Sequence, residues 1–280
     1  MTANQLQFFD YKTTTDRGRL YRPMLTAREN GKGCMDVDTV KGCTLGMQAY
    51  PNGGCYGRCY ANTDASRYRV DFATSVTRRY TRDSIVKVFC DVRDHYATWY
   101  RIGVSGDPCH NWNHTVNVCK ELAGTGKVPV IITKHWRALT GPQLDDLAKL
   151  GAVINTSVSG LDTDAELEHR LAEMDRVERA GMVSVCRVIT CEYGDTEWGN
   201  QCRHKQEYLL TLDPVIDNPL RLPACDPRVV SGDILVSKVD HAVGGGKSVS
   251  LHAPDIYLGT CKECPDQCGV PVNKSQKGSQ

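Results

Sequence analysis

Three cysteines, Cys43, Cys55 and Cys59, fall within one glycine-rich loop, Gly42–Ala61. Gly42, Gly46, Gly53, Gly54 and Gly57 let that backbone turn tightly, so three sulfurs can face one point. Converging thiolates are ligands for a soft metal or an iron–sulfur cluster. Three small core residues are the alternative. A second set, Cys261, Cys264 and Cys268, reads C-x2-C-x3-C and is followed by Gly269. That is metal-ligand spacing, with structural zinc as one occupant. Its fourth ligand is open among Cys34, Cys202, Cys225 and His252. Cys90, Cys109, Cys119, Cys186 and Cys191 lie in or beside apolar segments and read as core residues.

The elements that must position these residues follow from periodicity. Met1–Lys32 is polar and weakly periodic, an arm on the domain. Asp36–Lys41 alternates at period two, as a first strand does, and the cysteine loop follows directly. Residues 64–97 predict two helices broken near Tyr80–Asp83, with Val86, Val88, Phe89 and Val92 inward. Tyr100–Val104, Val128–Thr133, Ala152–Val158, Met182–Thr190 and Asp233–Val239 predict five more strands. Helices over His114–Ala123, after Thr140, after Thr163 and over 199–211 lie between them. Thr140 with Gln143, and Thr163 with Glu166, form capping boxes, and Gly151 and Gly181 end those helices. Strand–helix alternation with short links predicts an α/β fold, a partial (β/α)6 TIM-like barrel, because right-handed crossovers repeated in one sense curl a sheet. The domain boundaries are an arm at 1–35, the barrel at 36–240, and a Cys-rich C-terminal extension with a polar tail at 241–280.

The run Cys55-Tyr-Gly-Arg-Cys59-Tyr60-Ala61 resembles the end of the cluster loop of radical S-adenosylmethionine enzymes. Branches that carry a Tyr after the third Cys, such as spore photoproduct lyase and phage-associated proteins, are most similar. The common spacing there is C-x3-C-x2-C, whereas this chain reads C-x11-C-x3-C. The resemblance implies a [4Fe–4S] cluster on Cys43, Cys55 and Cys59, with S-adenosylmethionine on its fourth iron. Reductive cleavage then gives a 5′-deoxyadenosyl radical that abstracts hydrogen from a substrate. It also implies an external electron donor of flavodoxin or ferredoxin type, and it makes a second [4Fe–4S] cluster an alternative to zinc on Cys261, Cys264 and Cys268.

Active sites of parallel barrels lie at the C-terminal strand ends. Ser105-Gly106-Asp107-Pro108 follows the second strand and is similar to the Gly-Gly-Glu-Pro turn with which the family holds the amino group of its cofactor; a plain β-turn is the alternative. A zwitterionic cofactor also needs a cation, for which Lys134 and Arg187 are candidates, and ribose partners, for which Asn155 and Ser157 are candidates. Tyr60 flanks the adenine or the cluster, or packs in the rim.

The chain of 280 residues carries a net charge of +1 and 14 cysteines. It has no apolar run long enough to span a membrane and no visible secretory signal. A cytoplasmic protein with reduced thiols is therefore expected, without a disulfide framework. No H-E-x-x-H, Gly-x-Ser-x-Gly or P-loop pattern occurs, so zincin, serine-hydrolase and P-loop chemistry have no motif here. Residues 1–100 hold 15 Lys and Arg against 10 Asp and Glu. Their arginines mix with tyrosines over 17–22 and 67–82, as phosphate-gripping, base-stacking surfaces do. A solvated helix face with Asp64, Asp71 and Asp83 as local partners is the alternative. DNA or RNA is accordingly a candidate substrate, a nucleobase the candidate target, and a zinc-bearing nucleic-acid-binding module without catalysis the rival reading. A radical enzyme acting on a small molecule or peptide is a third.

Overall fold

The computed structural model describes residues 18–49, 59–213, 215–220, 222, 224–235, 248–249, 257–258 and 268–270. In chain order the first elements are β1 (Arg28–Glu29), β2 (Met35–Asp36), β3 (Val40–Lys41), α1 (Thr44–Ala49), α2 (Tyr60–Arg67), β4 (Val76–Thr77), α3 (Arg82–Asp94) and β5 (Trp99–Ile102). A 3-10 turn over Pro108–Asn111 leads into α4 (Trp112–Leu122). There follow β6 (Val128–Thr133), α5 (Gly141–Lys149), β7 (Val153–Ser159), α6 (Asp164–Arg179), β8 (Val183–Ile189), α7 (Glu197–Leu209), β9 (Val215–Asp217) and α8 (Pro227–Val230). Two two-residue strands, β10 (Ser248–Val249) and β11 (Tyr257–Leu258), pair antiparallel.

The main sheet runs β1-β2-β5-β6-β7-β8-β9. Only β1 is antiparallel to its neighbour; from β2 to β9 every pair is parallel. The protein is thus α/β with a mostly parallel sheet whose strands stand side by side in chain order. β6 and β7 are almost wholly buried, which is why they read as apolar or small-residue runs.

The helices start and stop where local chemistry dictates. Thr140 and Thr163 cap α5 and α6 with reciprocal boxes to Gln143 and Glu166. Gly151 and Gly181, at φ +63° and +81°, take the left-handed conformation that closes them.

Strand alternation divides the sheet into two faces. Tyr100, Ile102, Ile131 and Ile154 meet α3, α4 and α5 through Val88, Val92, Val116, Leu122, Leu144 and Leu147. Each such buried aliphatic contributes ~1.5–3 kcal/mol. On the opposite face Trp99, Val130, Val153, Val185 and Ile216 form an apolar floor near the N-terminal strand ends, covered by Cys268 and Val270. A Cβ on Gly269 would come within 2.8–2.9 Å of Val153, Val183 and Val185, so only glycine allows this approach.

Several expectations are corrected. The first strand is interrupted: Val37–Thr39 separates β2 from β3, and β3 leaves the main sheet to pair with β4. Residues 68–81 are not helical, and Val86 is 55% exposed while Ile85 takes its place inside. The last parallel strand is Val215–Asp217, not Asp233–Val239. Ile234 makes only an isolated antiparallel bridge to Tyr193, and 236–239 lie outside the described residues. Three residues are too few to show a period, which is why β9 is hidden in the pattern.

Candidate functional site

All six parallel strands, from β2 to β9, point the same way, so the loops at their C-terminal ends share one rim. Gly42 lies four residues past Asp38 at the end of the first, and its N–H donates to Ser105 O at 3.0 Å. Gly42 and Gly106 form a parallel bridge. A Cβ on Gly106 would meet Gly42 O and Val40 O at 2.7 Å, so the start of the cysteine loop and the Ser105-Gly106 turn touch backbone to backbone.

Cys43 and Cys59 both pack, half-buried, against Ala61, Ala65 and Phe72, together with Tyr21 and Met47. Cys43 N–H is held by Phe72 O at 2.8 Å. Cys59 is the N-cap of α2, and its sulfur accepts the Asn62 amide at 3.3 Å. A thiolate suits that position, because the helix N-terminus presents unpaired amides. Cys55, Cys261 and Cys264 lie outside the described residues, as does the side chain of Tyr60, the first residue of α2. Burial pushes the Tyr21 phenol up to about 12, with further upward contributions from Asp64, Asp38 and Cys59. Cys109 is a fully buried thiol kept neutral by desolvation and by Asp107.

Three buried carboxylates clamp the rim, and two of them were not singled out by sequence reasoning. Asp38 accepts the amides of Gly103, Val104 and Ser105 at 3.2, 2.8 and 3.1 Å, tying the end of β2 to that of β5. Asp107 accepts Cys109 N–H, Thr133 Oγ1–H and Lys134 N–H at 3.0, 2.7 and 2.8 Å, tying β5 to β6. Its carboxylate is therefore engaged inside the protein. Asp162 accepts Ser159 Oγ–H at 2.8 Å and faces Lys134 Nζ at 3.3 Å and the Arg170 guanidinium. Arg170 is 1% exposed, stacks on Trp136 at 4.6 Å, and donates through Nε to Lys134 O. Lys134 is thus paired within the protein. Arg170 falls on the apolar stripe of α6 with Leu167 and Met174, and a cation on such a stripe is the signal that a buried acid awaits it. Beside it His135 is fully buried at φ +48°, its imidazole pushed down to about 4 mainly by burial.

Asn155, Ser157 and Arg187 share the face opposite the helices, above the apolar floor. Ser157 pairs in register with Arg187. Arg187 donates to Asn155 Oδ1 at 3.0 Å and lies 3.6 Å from Cys268 Sγ, while its buried Nε has no hydrogen-bond partner among the described residues. Asn155 also donates to Cys268 O at 3.1 Å. Of the candidate fourth ligands for the C-terminal set, Cys34 packs in the same cluster as Cys268. Cys202 packs elsewhere, Cys225 is exposed, and His252 is outside the described residues.

The arginines of 67–82 divide. Arg78 is 6% exposed and holds the arm, donating to Met24 O at 2.5 Å and Thr26 Oγ1 at 3.1 Å, whereas Arg79 and Arg82 are exposed. Arg78→Ala is expected to lower stability by about 2 kcal/mol, since charged hydrogen bonds contribute ~1.5–3 kcal/mol. Arg79→Ala should stay within ~0.5 kcal/mol of wild type. Urea midpoints of the two variants check the contrast; equal midpoints would show that the arm is not held in this way.

Among the described residues no helix is long and apolar enough to cross a membrane. Comparison with protein-family models and with curated proteins gave no match.

Proposed function

We propose that the protein is a radical S-adenosylmethionine enzyme built on a partial (β/α)6 barrel, acting on a nucleobase within DNA or RNA. The observation that carries the reading is the contact between the start of the cysteine loop and the Ser105-Gly106 turn, at the C-terminal ends of the first two parallel strands. The donor set suits the cofactors: Cys43 and Cys59 pack on one small cluster, and the buried Nε of Arg187 has no hydrogen-bond partner among the described residues. Held by Cys43, Cys55 and Cys59, a cluster would supply one-electron reductive cleavage of S-adenosylmethionine, with methionine released, and so radical hydrogen abstraction from substrate.

The chain's own residues would bind and orient. Cys43 and Cys59, with Cys55, are the cluster ligands. The backbone of Ser105 and Gly106 borders Gly42 at the start of that loop and would hold the amino group, since the Asp107 carboxylate serves as a clamp. Arg187 is the cation for a carboxylate, because Lys134 is neutralised by Asp162. Ser157 supplies a hydroxyl to a ribose; Asn155, expected as a second ribose partner, is buried with its amide engaged by Arg187 and Cys268 and instead positions the arginine. Cys261, Cys264 and Cys268 form a second centre, a further cluster or zinc, for which Cys34 is a candidate fourth ligand because it packs in the same apolar cluster as Cys268. An external flavodoxin- or ferredoxin-type protein supplies the electron.

The test is anaerobic purification and reconstitution, iron and sulfide analysis, and incubation with dithionite and S-adenosylmethionine. The expected result is a brown protein with at least about four irons and four sulfides per chain, releasing 5′-deoxyadenosine and methionine. A colourless, zinc-only protein without turnover would overturn the reading in favour of a non-catalytic nucleic-acid-binding module.

A further inference from the structure

Two stretches distant in sequence run side by side near the cysteine loop. Arg19 N–H donates to Arg69 O and Asp71 N–H to Arg19 O, each at 3.0 Å. Further along, Leu25 N–H donates to Arg79 O at 2.8 Å and Arg79 N–H to Pro23 O at 2.5 Å. Gly18 makes the approach possible: it sits at φ +77°, and a Cβ there would meet Arg69 O at 2.7 Å. The exposed Arg19, Arg22, Arg67, Arg69, Arg79 and Arg82 all lie on these paired stretches or within three residues of them.

None of these six forms an ion pair among the described residues. The Asp71 carboxylate is taken by Ala73 N–H and Thr74 Oγ1–H at 2.9 and 2.7 Å, and Asp64 and Asp83 pair with none of the six. Tyr68, between Arg67 and Arg69, is 63% exposed. Unpaired cations of one sign repel one another, and a polyanion relieves that repulsion. An exposed ring among them offers a base its π-face. The surface also adjoins the thiols: Tyr21 and Val70, from the two paired stretches, pack on the same cluster as Cys43 and Cys59.

We infer that this surface binds single-stranded nucleic acid, with phosphates on the arginines and a base stacked on Tyr68. It thereby leads the strand to the cysteine loop. Delivery of a base for chemistry rests on the function proposed above; binding itself does not.

The test is fluorescence anisotropy with labelled single-stranded DNA, single-stranded RNA and duplex DNA over a range of salt, using the full chain. Wild type should bind single strands with a linear log–log salt dependence. A triple Arg19→Gln, Arg69→Gln, Arg79→Gln variant should weaken binding and flatten the slope by about two units, at ~0.7 per phosphate contact. Tyr68→Ala should weaken binding about tenfold or more, and Arg179→Gln, on α6, should change nothing. Thermal melts establish that each variant is folded. Whichever single strand binds more tightly identifies the source of the phosphodiester, and tighter binding to the duplex would overturn the inference. Absence of binding at low salt, an unchanged triple variant, an unaffected Tyr68→Ala, or tighter binding to phosphatidylserine vesicles would each overturn the inference. Cleavage of S-adenosylmethionine without oligonucleotide, measured in parallel, separates the two readings. Cleavage without binding defeats this surface alone, and binding without cleavage defeats the enzyme reading alone.

Discussion

Replacing Cys43, Cys55 and Cys59 together with alanine should reduce 5′-deoxyadenosine to background, while metal bound through Cys261, Cys264 and Cys268 remains. The expectation rests on soft thiolate chemistry: with no sulfur left in the first loop, no cluster forms there. Two single variants guard against misfolding. Cys59→Ser keeps an acceptor for the Asn62 amide at the α2 N-cap, so it preserves the helix start and should still lose turnover. Cys109 is buried and neutral, its thiol pushed up by desolvation and then by Asp107, so Cys109→Ala should retain the cluster. Iron analysis and product chromatography read all three. A triple variant that still makes 5′-deoxyadenosine would show the cluster lies elsewhere, and one stripped of all metal would show that the two cysteine sets are not independent.

Asp162→Asn should be among the most destabilising single substitutions. The Asp162 side chain is 0% exposed and faces Lys134 and Arg170, whose side chains are 11% and 1% exposed. Removing its charge takes the closest carboxylate from both Lys134 and Arg170, leaving Arg170 only the more distant Glu166 at 3.9 Å, which costs about 3–5 kcal/mol. At ~2–4 °C per kcal/mol for a protein of this size, the melting temperature should fall by about 10 °C. Burial alone would raise the Asp162 pKa, but Lys134 and Arg170 outweigh it and hold the group below the usual carboxylate range. A depressed folded value means that its stabilisation is complete above about pH 4, the unfolded value. It is lost as pH falls through the folded value. Wild type should therefore lose stability below pH 4, and the variant should lack that part of the acid dependence. Parallel urea titrations from neutral to acid pH check this; coincident acid limbs in the two proteins would refute the role of Asp162.

Sequence legibility tracked the range of the interactions involved. Capping boxes at Thr140 and Thr163, and closing glycines at 151 and 181, depend on residues three or four apart, so they could be read directly. The run Val128–Thr133 was legible because burial on both faces removes polar residues; Ala152–Val158 is as buried yet keeps Asn155, Thr156 and Ser157. β9 was not, since its three residues carry no period between Pro214 and Pro219. The Cys43–Cys59 stretch was half legible: its glycines read as a loop, but Thr44–Ala49 within it is the helix α1, and only the fold brings Gly42 against Ser105. Asp107 shows the limit most clearly. Its place after a strand suggested a ligand, whereas its three donors come from Cys109, Thr133 and Lys134, partners set by tertiary structure. Arg78 and Arg79 are neighbours in sequence with opposite fates, because β4 and the loop after it turn one inward under the arm and the other out.

The glycine that rests on Val153, Val183 and Val185 also sets an order of events during synthesis. Asn155 and Cys268, which share a hydrogen bond, stand 113 residues apart. At ~5–20 residues per second, Asn155 is made about 6–23 s before its partner. Through that interval Trp99, Val130 and Val153 lack the cover that Cys268 and Val270 give them, although the helices on the other side can already dock. The nascent protein therefore displays an apolar, strand-lined patch until residues 268–270 emerge, and closing so long a loop is an intrinsically slow step. Chaperone demand should accordingly peak late in translation, when most of the sheet exists and residues 268–270 do not.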